Sequence, residues 1–318
     1  MNKYKLVIAL IAIATITFLL LNKSKSKNKI KIGYQETSLY QHIFVAKEKN
    51  YFKEQGIEAE LVSFKSGNQM MQALISGDID VLGLANLQVA LTVEAKEAGK
   101  FKMINFLVWG KDSYPDYIIT RKKSQIKSLK ELEGKSVGLH PGSAVKSFAS
   151  TIFKLNNVNE DKINTLELEP SLMQSSLFSD NIQGLYCMDP TATKLMATGE
   201  CEILMANPMQ FIFPAPTPIS GTAVNSKIAG DKKLIKKINA AIDKAIDFTR
   251  VKSNTPEIHK IIASYTPMKA DVMEKMNPSE YWKSQETDIN RVQELANKFY
   301  DLKIVDKKIN IRDIFAND

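Results

Sequence analysis

Histidine and cysteine are scarce in this 318-residue chain, with three of the first and two of the second. That scarcity limits metal chemistry. His42, His140 and His259 stand singly, without the close spacing of imidazoles, thiolates or carboxylates that holds a metal ion. No metal site is expected, and each histidine reads as an ordinary loop or surface residue. The two thiols, Cys187 and Cys201, leave two readings open: a disulfide closing the loop between them, or two buried thiols. The chain also lacks a G-x-x-x-x-G-K-[ST] phosphate loop, a G-x-S-x-G nucleophile elbow and any short-period repeat. These absences exclude P-loop nucleotide chemistry, the common serine-hydrolase turn and a solenoid.

What is present is unevenly placed. The net charge is +8, but residues 1–29 hold Lys3, Lys5, Lys23, Lys25, Lys27 and Lys29 and no acid, so the remainder carries only +2. A nearly neutral body does not call for a polyanion, and no nucleic-acid partner is expected. The N-terminus reads "MNKYK", then the apolar run 6–21, then "NKSKSKNK". Positive residues before an apolar run are the grammar of export. No small-residue cleavage site and no lipidation cysteine follow, so residues 1–29 are expected to be a membrane anchor with a polar tether, with a cleaved signal as the competing reading. Lysines on both sides leave the orientation open.

After the tether, short strand-like runs alternate with helical patterns. "IKIGYQ" (30–35), "IEAELVSF" (57–64) and "IDVLGLA" (79–85) read as strands, and 38–56, 67–78 and 86–99 as the helices that follow them. A second set runs from "FKMINFLVW" (101–109) and "DYIITRK" (116–122) through "SVGLH" (136–140), "NTLELEP" (164–170) and "IQGLYCM" (182–188) to "CEILMA" (201–206). "GTAVNSKI" (221–228) reads as one more strand, and residues from 232 onward as helical. This pattern predicts mostly parallel sheets with helices on their faces. The segments 109–116 and the proline-rich 207–221 suit connections between two α/β lobes, the second lobe being inserted into the first.

The opening of the second set, "KSVGLHPGSAVKSFASTIFKL" (135–155), raises a chemical question at Ser143. A serine between a strand end and a helix start serves as a nucleophile, an anion anchor or a helix cap. A nucleophile needs a base and an orienting group, and only His140 is near in sequence. The first set opens in the same manner, with Thr37 or Ser38 as the cap, and Asn86 caps the helix after "VLGLA". Parallel sheets hold ligands beyond the carboxyl ends of their strands, where helix N-termini point. Gln35 at the first strand end, with Ser38, Tyr40 and Gln41 at the first helix start, is therefore a candidate for ligand contact, as is Asn86. Trp109, Tyr114 and Tyr117 near the first connection read equally as ring-stacking or hinge-packing residues.

Three stretches in order carry a resemblance: "KIKIGYQETSLYQHIFVAKEKNYFKEQGIEAELVSF", "MQALISGDIDVLGLAN" and "SLKELEGKSVGLHPGSAVKSFASTIFKLNNV". They resemble substrate-binding proteins of ABC importers of the nitrate/sulfonate/taurine type, a group that includes pyrimidine-precursor binders. The resemblance implies a type II periplasmic-binding-protein fold, two α/β lobes joined by two crossings with a helical C-terminal part. It implies lobe 1 over 30–112 and 215–318 and lobe 2 over 113–214. It further implies an extracytoplasmic, monomeric protein without catalysis or cofactor, which captures a small solute between the lobes for an ABC permease and its ATPase subunit. Ser143 with Ala144 then faces the ligand, and Asp189 in "YCMDPTATKL" stands in the last cleft loop of lobe 2, as a partner for a ligand amine or as a cap. Arg121, Arg250, Arg291 and Arg312 all fall outside these loops, which favours a neutral or zwitterionic solute, or an anion held by helix N-termini alone. Two rival classes share the fold. They are a pyrimidine-precursor-synthesising enzyme, whose cysteine-rich motif is missing here, and a ligand-sensing domain of a signalling protein.

Overall fold

The computed structural model describes residues 28–111, 113–141, 143–276 and 279–316. The apolar run 6–21, read as an anchor, lies outside the described residues. Among the described residues no helix is long and apolar enough to cross a membrane.

Among the described residues eleven strands form two sheets, and the run 101–109, read with the second set, belongs to the first. The chain lays down β1 (Asn28–Tyr34), β2 (Ile57–Ser63), β3 (Val81–Asn86) and β4 (Phe101–Trp109), and then crosses over. It builds β5 (Asp116–Arg121), β6 (Ser136–Leu139), β7 (Asn164–Glu167), β8 (Gly184–Met188) and β9 (Cys201–Ala206). It then returns as β10 (Thr217–Asn225) and β11 (Glu280–Trp282). The six-stranded sheet has the order β11-β4-β10-β3-β1-β2, and the five-stranded sheet β7-β6-β8-β5-β9. The fold is α/β, two mixed sheets covered by helices, as in periplasmic binding proteins.

The sheets are less parallel than the alternation of elements predicts. β1 is parallel to both β2 and β3, and β6 to both β7 and β8. β10 is antiparallel to β3 and β4, and β5 to β8 and β9. The reversal follows from the crossings, since β5 and β10 are the first strands laid down after each one. Other boundaries also move. The predicted helix 38–56 breaks at Asn50, whose left-handed backbone (φ 60°) separates Gln41–Glu48 from Tyr51–Glu54. The stretch 280–282, read as helix, pairs with β4 as an edge strand. Residues 217–220 of the proline-rich connection already belong to β10, where the pairing with β4 is irregular around Pro218.

Side-chain alternation divides the second sheet between two cores. Ile118 and Tyr186 join the large apolar cluster shared with the first sheet, while their neighbours Ile119, Leu185 and Cys187 join a small one with Cys201. Both cysteines are free and buried. His42 corrects the expectation of an ordinary surface histidine: it is fully buried, under the Tyr281 ring at 4.5 Å. The helix Gln41–Glu48 is buried all round from His42 to Ala46, five consecutive residues that span more than one turn.

Close backbone contact explains one glycine in the central strand β10. A Cβ on Gly221 would lie 2.2 Å from the carbonyl oxygen of Asn105 on β4. Gly221→Ala should therefore force the two strands apart, cost about 2 kcal/mol and lower Tm by roughly 3 °C. Thermal unfolding followed by circular dichroism checks this; an unchanged Tm would contradict the β4–β10 register.

Candidate ligand-binding site

In each sheet one strand is flanked by the next two laid down: β1 lies between β2 and β3, and β6 between β7 and β8. Chains leaving the carboxyl ends of such adjacent parallel strands part to opposite sides, which opens a crevice. A cavity of about 680 Å³ lies where these two crevices meet. From the first sheet come Thr37, Ser38 and Leu39 after β1, and Asn86 at the end of β3. From the second come Pro141 and Val145 after β6, and Met188, Asp189 and Pro190 after β8. A volume of this size suits an organic molecule of moderate size.

Helix faces supply the walls. Asn68, Met71, Gln72 and Ile75 project from one side of the helix Gly67–Ser76 at spacings of three, four and seven. Gln88, Val89, Thr92 and Val93 do the same from the helix Leu87–Lys96. Phe148, on the helix Ser143–Leu155, and Phe299, on the helix Ile289–Asp301, form an aromatic wall with ring centroids 6.1 Å apart. Trp109 closes the side near the first crossing.

Several polar groups here have spare hydrogen-bonding capacity. Asn86 caps its helix, its Oδ1 accepting from the Gln88 and Val89 amides at 2.9 and 3.4 Å. Thr37 occupies a cap position without a cap bond, and its buried Oγ1 has no partner among the described residues. Asp189 Oδ1 accepts from the amide and hydroxyl of Thr193, at 3.0 and 2.7 Å. Burial raises the Asp189 pKa above the usual carboxylate range, and the two Thr193 bonds oppose the rise.

Of the residues picked from sequence, Ser38, Asn86 and Asp189 come together on this cavity. Gln35 and Tyr40 are not among its lining residues. Tyr40 is buried against Gly83, and its hydroxyl donates to the Leu84 carbonyl at 3.4 Å and to Gln35 Oε1 at 3.5 Å. Gln35 also donates to the Lys65 carbonyl, at 3.3 Å. The Gln41 side chain hydrogen-bonds Tyr281, away from the cavity walls. Ser143 begins its helix, with Ala144 next, and the following residue Val145 lines the cavity.

The crossings meet beside the site. Tyr114, fully buried, donates to the Phe213 carbonyl and shares a 2.6 Å hydrogen bond with Thr217 Oγ1, so its hydroxyl ties the first crossing to the second. Trp109 packs on Tyr114 at 5.4 Å and also lines the cavity. Sequence reasoning missed the helix faces and Phe148, Met209 and Phe299. The signal that marks the helix faces is a stripe of helical spacing that mixes Asn, Gln and Thr with Met, Ile and Val.

Comparisons with known proteins agree with this geometry. A Brucella abortus protein named as a binding protein is 24% identical over 205 residues, 64% of this chain and 61% of its own length. The match therefore spans about three fifths of that relative. The periplasmic aliphatic sulphonate binding protein SsuA from Escherichia coli superposes with a TM-score of 0.75 at 19% identity, covering 92% of this chain and 93% of its own. The periplasmic nitrate-binding protein NrtA from Synechocystis PCC 6803 superposes with a TM-score of 0.68 at 12% identity, covering 90% and 84%. The family model described as NMT1/THI5 like matches residues 40–254, and the chain belongs to that family.

Proposed function

We propose that this protein is an extracytoplasmic solute receptor that captures a small organic molecule between two lobes and delivers it to an ABC permease and its ATPase subunit. One observation carries the reading: a single cavity of about 680 Å³ is lined from the strand ends of both sheets. The lobes are 30–112 with 215–318, and 113–214, and the Tyr114–Thr217 hydrogen bond lies where the chain crosses between them. Binding proteins named among the relatives, including sulphonate and nitrate binders, support the class. Residues 1–29 tether the receptor to the membrane, a reading supported by the apolar run 6–21 and its lysine flanks.

Trp109 offers a direct test. The chain has two tryptophans, and Trp282 lies on the edge strand β11. In a Trp282→Phe protein, emission reports on Trp109 in the cavity wall. A library of small organic solutes should contain a compound that shifts this emission saturably. The same compound at one hundred times its Kd should add about 2.7 kcal/mol of stability. Absence of any saturable ligand across the library would overturn the receptor reading.

A further inference from the structure

We propose that the cavity takes an organic cation: a predominantly apolar body that lies against the methionine and aromatic walls, with an ammonium group paired to Asp189. The inference rests on the receptor reading above and specifies its ligand class.

Charge distribution is the first ground. Among the described residues three charged side chains line the cavity, and Lys96 and Glu97 are solvent-exposed with opposite signs. Asp189 is left as the partly buried charge. Its Oδ1 is used by Thr193, whereas Oδ2 has no hydrogen-bond or ion-pair partner among the described residues. A cap alone would not require this acid, because Asn serves a helix start as well as Asp without a charge to desolvate. A half-buried carboxylate with an open oxygen facing a cavity is stabilised by a cation and opposes an anion. The arginines that could have clamped an anion are engaged elsewhere: Arg121 pairs with Glu200 at 2.8 Å, and Arg291 with Glu294 at 2.6 Å.

Wall composition is the second ground. Met71, Met188, Met209 and Met276 line the cavity, together with Phe148 and Phe299. Flexible thioethers and aromatic faces accommodate hydrocarbon of varied shape, and aromatic faces also attract cations. An inorganic anion would leave most of this apolar volume unfilled. An amine on an alkyl or aryl skeleton meets both the acid and the walls.

The test is a matched panel of amines, alcohols and sulfonates on the same phenylalkyl, indolylethyl and hexyl-to-decyl skeletons. Each is titrated into the full chain by Trp109 emission and calorimetry. The expected result is that amines bind at least tenfold tighter than alcohols of the same skeleton, with sulfonates weakest. Asp189→Asn keeps the Oδ1 acceptor for Thr193, so it should fold normally and bring amine affinity down to that of the alcohol. Equal or tighter binding of alcohols or sulfonates, or unchanged amine affinity in a folded Asp189→Asn protein, would overturn the cation while leaving the receptor standing. Failure of every amine to bind would also overturn it. The solute library then decides whether the receptor reading falls as well.

Discussion

Asp116→Asn is expected to remove a pH-dependent loss of stability of about 4 kcal/mol between pH 4 and pH 7. Asp116 opens β5 at the first crossing and is completely buried. Its Oδ2 accepts from the Met209 amide at 2.9 Å and the Tyr186 hydroxyl at 3.2 Å, while Oδ1 has no partner among the described residues. Burial outweighs these two donors and pushes the carboxyl up to about 7. In the unfolded chain the same group loses its proton near pH 3.9, as an ordinary aspartate does. Between those values the folded state binds more protons than the unfolded state, so stability falls by about 1.4 kcal/mol per pH unit. The contribution is fully present below pH 4 and gone above about pH 7. Asparagine does not titrate, so the stability of the variant relative to wild type should rise steadily across this window. Urea unfolding at pH 4, 5.5 and 7.5 measures the difference, and a constant offset would refute the assignment. Because Met209 lines the cavity, the titrating group is one hydrogen bond from the binding site.

The fold was legible because its signals are local. Period-two runs such as "IKIGYQ" and "IEAELVSF" sit almost where β1 and β2 form, and glycine closes the helix Gly67–Ser76 at the left-handed Gly77. What the sequence hid depends on distant partners. Whether β10 runs parallel or antiparallel is decided by which strands flank it, and nothing within 217–225 records that choice. The edge strand Glu280–Trp282 exists because β4 offers it a free edge. Its own residues carry no strand period long enough to read.

The site divides along the same line. Ser38 and Asn86 could be placed on the cavity because strand ends followed by capping residues mark crevices, and Asp189 because the family resemblance puts a residue in that loop. Phe148 and Phe299 could not, since each lies on the apolar stripe of an amphipathic helix and is nearly or completely buried. Tyr40 went the opposite way. Its place at the first helix start suggested a ligand contact, but Gly83 leaves room for its ring and the Leu84 carbonyl accepts its hydrogen bond. A tyrosine that satisfies its hydroxyl on backbone is indistinguishable in sequence from one that reaches a ligand.

His42→Leu should protect the protein against acid, gaining about 3 kcal/mol over wild type by pH 4 while staying close to it at pH 7. The imidazole is fully buried on the helix Gln41–Glu48, and neither ring nitrogen meets hydrogen-bond geometry among the described residues, although the Gly83 backbone lies near enough to oppose part of the shift. Burial holds the ring neutral and lowers its pKa to about 3. An unfolded histidine takes up its proton near pH 6.5, so acid favours the unfolded chain. The contribution is whole above pH 6.5 and is lost as pH falls toward 3, about 5 kcal/mol in all. Leucine has similar bulk and can fill the space beside Tyr281 without a proton to bind. Between pH 4 and 6.5 this slope is opposite in sign to that of Asp116. His42 lies on a helix and Asp116 on β5, and they share no partner among the described residues, so their effects should add. Wild-type stability from this pair should therefore stay nearly flat across the interval. Asp116→Asn should fall in acid, His42→Leu should rise, and the double variant should again be flat. Urea unfolding of all four proteins at pH 4, 5.5 and 7 decides it, and parallel pH profiles for wild type and His42→Leu would show that the imidazole is not held neutral.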